Sequence, residues 1–163
     1  MSPLLLTHLV AALIALPLGA FQLFRPTKGD PQHVLLGRVW AGLMLWVALS
    51  SYAIREIRHG EFSLLHILST VTLVTVTLGI VNARRGNITA HTANMRGSWL
   101  GLLGAFIGAV VVPDRALPTF VMTRPVDAVV AVLVLAGSTL LLVRLGALAT
   151  EHVDAPRSPT HVP

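Results

Sequence analysis

Five runs of about 20 mostly apolar residues, each closed by a polar break rich in proline or glycine, fill most of this chain. That length matches the stretch of helix needed to cross the hydrocarbon core of a bilayer. Within that core every backbone N–H and C=O must find a partner inside the protein, which an α-helix provides on its own. The expected fold is therefore all-α. It is an integral membrane helical bundle of about five transmembrane helices, with the first four forming the core. The expected spans are residues 3–24, 33–54, 62–81, 90–112 and 126–148. Residues 1–150 read as a single transmembrane domain. Residues 151–163, "EHVDAPRSPTHVP", read as a polar, proline-rich and disordered cytoplasmic tail.

Composition agrees with burial in lipid. Hydrophobic residues make up 54% of the 163 and only 12% are Asp, Glu, Lys or Arg, so a soluble domain of this size lacks the polar surface to face water. The net charge of +5 comes from scattered Lys and Arg. They lack the clustering of a nucleic-acid footprint, so the expected partner is the bilayer and not a nucleic acid. The absence of cysteine excludes disulfides, thiolate metal sites, iron–sulfur clusters and covalently attached haem. Nor does the chain carry a phosphate-binding glycine loop, an H-E-x-x-H zinc motif or a nucleophile elbow.

Counting Lys and Arg on the two sides predicts the orientation. Arg25, Lys28, Arg38, Arg84, Arg85, Arg96, Arg144 and Arg157 fall on one side; Arg55, Arg58, Arg115 and Arg124 fall on the other. The richer side is expected in the cytoplasm, leaving the N-terminus outside and the C-terminus inside the cytoplasmic (inner) membrane. The first run lacks the basic start and short apolar region of a cleaved signal, and reads as a retained helix kinked at Pro17. Trp40, Trp99 and Tyr52 lie within a few turns of span ends, where amphipathic rings are favoured. "PDRALPTFVMTRP" reads as a Pro-broken loop, and the plainer fifth span as a peripheral helix.

Four histidines stand out against this background. His8 and His66 each lie about one turn into spans that begin on the outer side; His33 and His91 open spans that begin on the inner side. This yields an outer pair, His8/His66, and an inner pair, His33/His91, each joining helices n and n+2. Neutral imidazoles from facing helices hold a b-type haem without a covalent link. Ionisable groups at membrane depth are costly unless paired or functional. Two ligands per pair are too few for a closed zinc site, and Glu61, near His66, is the nearest carboxylate. Each histidine also has a simpler role open to it. His8 can bond a carbonyl on a neighbouring helix, and His33 can serve as a helix-start residue. His66 can pair with Glu61, and His91 can meet lipid phosphate. His59, His152 and His161 read as solvated.

Two further patterns are expected to serve packing. Gly97, Gly101, Gly104 and Gly108 form a stripe that lets backbones approach, or makes room for a porphyrin face. Ser69, Thr70, Thr72, Thr75 and Thr77 are expected to bond their own backbone or a neighbouring helix.

The stretches "HLVAALIALPLGAFQLFRP", "HVLLGRVWAGLMLWVALSSY" and "GEFSLLHILSTVTLVTVTLGIVNARRGNITAHTANMRGSWLGLLGAFIGAVVVPDRALP" resemble the bacterial DUF2306 family of predicted multi-pass membrane proteins. The resemblance covers roughly the first 120 residues. Its elements fall on His8; on His33, Gly37 and Arg38; on His66; and on Arg84, Gly86, Asn87, His91 and Met95. Asn87 stands where Asp is usual and Thr92 where a basic residue is common. The layout is similar in kind to the cytochrome b561 class of di-haem bundles, an analogy of architecture.

The expected function is a b-type haem membrane cytochrome for transmembrane or intramembrane electron transfer. His8, His66, His33 and His91 would be its haem-iron ligands, with one or two haem b groups. A quinone or a redox partner protein would exchange the electrons. The alternative is a non-redox membrane protein: a small transporter, a haem or copper assembly factor, or a structural subunit of a larger complex.

Overall fold

The computed structural model describes residues 2–54, 64–111 and 122–154. Five long helices account for nearly all of them: α1 (Pro3–Phe24), α2 (Pro31–Ala53), α3 (Leu64–Arg84), α4 (Ile88–Val111) and α5 (Pro125–Asp154). Among the described residues there is no strand, and the fold is an all-α membrane bundle. Three helical stretches, Pro3–Phe24, Pro31–Ala53 and His66–Arg84, are long and apolar enough to cross a membrane. α5 has a shorter apolar stretch, Val132–Leu148. It runs on to Asp154, four residues into the segment expected as tail. The stretch 112–121, with most of the Pro-broken loop, and the tail from 155 onward lie outside the described residues.

Local chemistry sets the helix starts. Ser2 caps α1 by accepting from the Leu5 N–H, with Pro3 at the first helical position. Asp30 does the same for α2, accepting from the His33 N–H ahead of Pro31. A proline fits there because the first turn has no intrahelical use for its missing N–H. At α4 the cap is Asn87, whose side chain accepts from the Ala90 N–H. Gly29 and Gly86 precede the Asp30 and Asn87 caps with φ of 83° and 75°, values that favour glycine.

Helices α1 to α4 close into a ring: α1 packs on α2, α2 on α3, α3 on α4, and α4 back on α1. Among the described residues α1 makes no backbone approach to α3, nor α2 to α4, so these are the diagonals. α5 lies outside the ring against α1 and α2, as expected of a peripheral helix. Gln32 ties it on by donating to the Val143 carbonyl, and Gly146 accommodates Leu36. Much of its remaining surface, including Val129, Leu133, Leu140 and Leu141, is apolar and exposed, as suits a helix facing lipid.

The centre of the ring is a packed layer of Ala15, Leu18, Leu36, Trp40, Ala41, Met44, Val76 and Leu102. Two indoles fasten α1 to it. Trp40 donates to the Ala15 carbonyl and Trp99 to the Leu16 carbonyl, both at 2.9 Å. Gly19 makes this possible, since a Cβ there would stand 2.5 Å from each indole. The expectation of an interfacial ring is therefore corrected for Trp40. Trp40 is only 4% exposed, and a buried indole N–H is best spent on a carbonyl. Of the two roles expected for the α4 glycine stripe, close helix approach is not seen among the described residues except at Gly101. A Cβ at Gly97, Gly104 or Gly108 would meet nothing within 4 Å, and only Gly101 is approached, by Leu68.

Candidate histidine sites at the two ends of the bundle

The two short turns, α1–α2 and α3–α4, lie at one end of the ring, here called the turn end. The C-terminal end of α2 marks the opposite end. His33 and His91 enter at the turn end, His8 and His66 at the other. All four are half-buried. Along α2, His33 and Ser50 are separated by about 25 Å of helix, with Trp40 and Met44 between them. Each pair sits on a diagonal of the ring, so the packed central layer divides the two pairs.

At the turn end the backbone positions the rings. Gly86 ends α3, Asn87 caps α4, and His91 follows one turn later. The His91 Nδ1 lies 2.9 Å from the Gly79 carbonyl, which accepts only, so Nδ1 carries the proton and donates. The same logic explains why Asn87 can replace Asp: the position caps a helix, and both side chains do that well. His33 lies within electrostatic reach of His91, Arg25, Asp30 and Lys28. Its Nδ1 is buried without a hydrogen-bond partner, and its backbone carbonyl accepts from Gln22 Nε2 at 2.8 Å. Arg25 closes this end through an ion pair with Asp30 at 2.7 Å.

At the opposite end, three consecutive hydroxyl residues of α2 gather the neighbouring helices. Ser50 Oγ lies 2.8 Å from His8 Nδ1 and also 2.7 Å from the Trp46 carbonyl. The single Ser50 proton serves that carbonyl, so Ser50 accepts from His8 Nδ1–H. The anchor at His8, like that at His91, engages Nδ1 and not Nε2. Ser51 bonds Ser69 and Tyr52 bonds Thr70 on α3, both at 2.5 Å. The Tyr52 ring lies 5.6 Å from the His66 ring. His8 and His66 are thus brought to the same end of α2 from opposite flanks. Glu61, Arg55 and Arg58 lie outside the described residues, so the expected Glu61–His66 pairing does too.

Three of the five α3 hydroxyls, those of Ser69, Thr70 and Thr75, make the bonds expected of them. Thr70 bonds the His66 carbonyl, and Thr75 bonds the Val71 carbonyl while reaching Ser98 of α4 at 2.7 Å.

A ligating imidazole coordinates through one nitrogen while the other donates to a fixed acceptor that sets ring orientation and tautomer. His91 with Gly79, and His8 with Ser50, have that form. Among the described residues no three His, Cys, Asp or Glu side chains come together as a metal cluster. Sequence reasoning missed Ser50, Gln22 and the depth of Arg25. Gln22 was detectable as a lone amide near the end of an apolar run. Ser50 carried no signal beyond its place in "SSY".

A family model described as a predicted membrane protein (DUF2306) matches residues 5–145. No curated protein and no solved structure matches the chain.

Proposed function

We infer that this chain, which belongs to the DUF2306 family of predicted membrane proteins, is a b-type cytochrome that carries electrons across or within the bacterial inner membrane. His33/His91 and His8/His66 each hold one haem, and the turn end with its Arg25, Lys28, Arg84 and Arg85 faces the cytoplasm. A quinone or a redox partner protein supplies or takes the electron. The observation that carries this reading is the pair of anchored imidazoles, His91 on Gly79 and His8 on Ser50. Each is anchored through Nδ1, which leaves Nε2 as the nitrogen to face iron, and each has a second histidine on the diagonally opposite helix. Haem supplies reversible one-electron chemistry at iron. The protein's own residues fix the ligand rings, exclude water through the Trp40–Met44 layer, and keep the two sites apart.

The test is an optical spectrum of the detergent-purified protein, oxidised and then reduced with dithionite. Sharp reduced b-type bands are expected. Replacement of His33 or His91 by Ala should remove about half their intensity if both pairs are filled, and replacement of His8 or His66 the other half. A featureless spectrum from a folded, haem-supplemented preparation would sink the reading. Substoichiometric haem that leaves on dilution would identify an assembly factor instead.

A further inference from the structure

The turn end contains an unfinished polar cluster. Arg25 follows the last residue of α1, its side chain only 9% exposed. Its Nη2 is held by Asp30, and its guanidinium carbon lies 5.5 Å from the centre of the Phe21 ring. Its Nη1 is buried and has no hydrogen-bond partner. The same is true of His33 Nδ1 and of Gln22 Oε1, on a residue 7% exposed. The three side chains belong together: Gln22 bonds the His33 carbonyl, and Arg25 acts electrostatically on His33.

A buried polar atom left unpaired is costly, because it has given up water and gained no partner. Folded proteins leave few such atoms, and three in one cluster mark a place where a partner belongs. Of the three, only Arg25 can turn an N–H toward such a partner; His33 Nδ1 and Gln22 Oε1 are a complementary donor and acceptor on residues already joined by a hydrogen bond. Asp30 balances Arg25, and Lys28, also within reach of His33, leaves the cluster net positive. The partner is therefore an acceptor carrying negative charge. Because the orphan atoms are shut off from bulk water, it reaches them from within the bundle and not from a headgroup at the surface. A carboxylate on a ligand already seated between the helices fits these conditions.

We propose that Arg25 binds a propionate carboxylate of the haem held by His33 and His91. This rests on the cytochrome reading above. Gln22 Oε1 is an acceptor and would meet the proton of a propionic acid, not a propionate.

The experiment titrates haem-stripped full-length protein with iron protoporphyrin IX and, separately, with its dimethyl ester, in which both carboxylates are capped. Wild type should bind the free acid about 10- to 100-fold more tightly than the ester, the worth of one hydrogen bond to a charged group. Arg25→Gln should lose most of that preference and keep its ester affinity, which also shows that the variant folds. Arg25→Lys should keep part of it. Equal binding of acid and ester by wild type overturns the proposal while leaving the cytochrome reading intact. So does an undiminished preference in Arg25→Gln. If neither porphyrin binds wild type, both fall together. If Arg25→Gln does not fold, the acid-to-ester ratio of wild type decides alone.

Discussion

The two ends of the bundle hold their histidines by different means. At the turn end, a left-handed glycine and a capping residue come first, Gly29–Asp30 and Gly86–Asn87, and the histidine follows three or four residues later. Backbone geometry aims the ring, and a backbone carbonyl anchors His91. At the other end His8 comes to a serine hydroxyl and His66 to a tyrosine ring, both supplied by the last turns of α2. Side chains of a third helix do the aiming there. A site positioned by backbone is sensitive to turn chemistry and indifferent to most side-chain changes nearby. A site positioned by hydroxyls has the opposite sensitivity.

The strongest way to break the contrast is to disturb both ends at once through the layer between them. Gly19→Val places carbon against two indoles that are themselves hydrogen-bonded, so neither ring can turn away freely. A loss of about 3 kcal/mol or more is expected, the upper end for overpacking, read as a lowered midpoint in thermal unfolding in detergent. Survival of both sites with an unchanged midpoint would show that α1 is not fastened as described.

A selective change sharpens the contrast. Ser50→Ala removes the acceptor from His8 and should weaken haem retention at that end about 10-fold, with the turn end unaffected. Titration of the two sites by reduced-band intensity would show it. A loss shared equally by both ends would contradict the division.

The smallest effects lie in the turn. Asn87→Ala should cost about 1 kcal/mol through the lost cap, and Asn87→Asp should fall within about 0.5 kcal/mol of wild type. Unfolding equilibria of the two variants measure this. A large effect of Asn87→Asp would mean that the position does more than cap α4.

The helices were legible because the length of an apolar run reports helix length in a bilayer. Their ends were less so. α3 runs to Arg84 and α4 starts at Ile88, beyond the expected 81 and 90, because Gly86 and Asn87 set these boundaries while hydropathy fades earlier. α2 likewise starts at Pro31 and not His33, a start that the Asp30–Pro31 pair encodes. The depth pairing of the histidines was legible from span order alone. Their anchors were not, since any carbonyl or serine can serve and rotational phase decides which one does. Trp40 was misplaced because distance from a span end says nothing about which way a ring faces. Close approach at the α4 glycines was misread for the same reason: spacing defines a stripe but not its neighbour.

The α3–α4 turn has one more consequence. Each residue added to a helix rotates everything beyond it by about 100°. The three residues between Asn87 and His91 therefore act as a clock setting. One insertion there would swing the imidazole away from Gly79 and out of the ring while leaving every helix intact and every hydrophobic run unchanged. An insertion into the α4–α5 connection carries no such penalty, because no histidine of either pair lies beyond it. Tolerance to length change along this chain should thus be sharply uneven, lowest in a turn that looks, by composition, like ordinary polar linker.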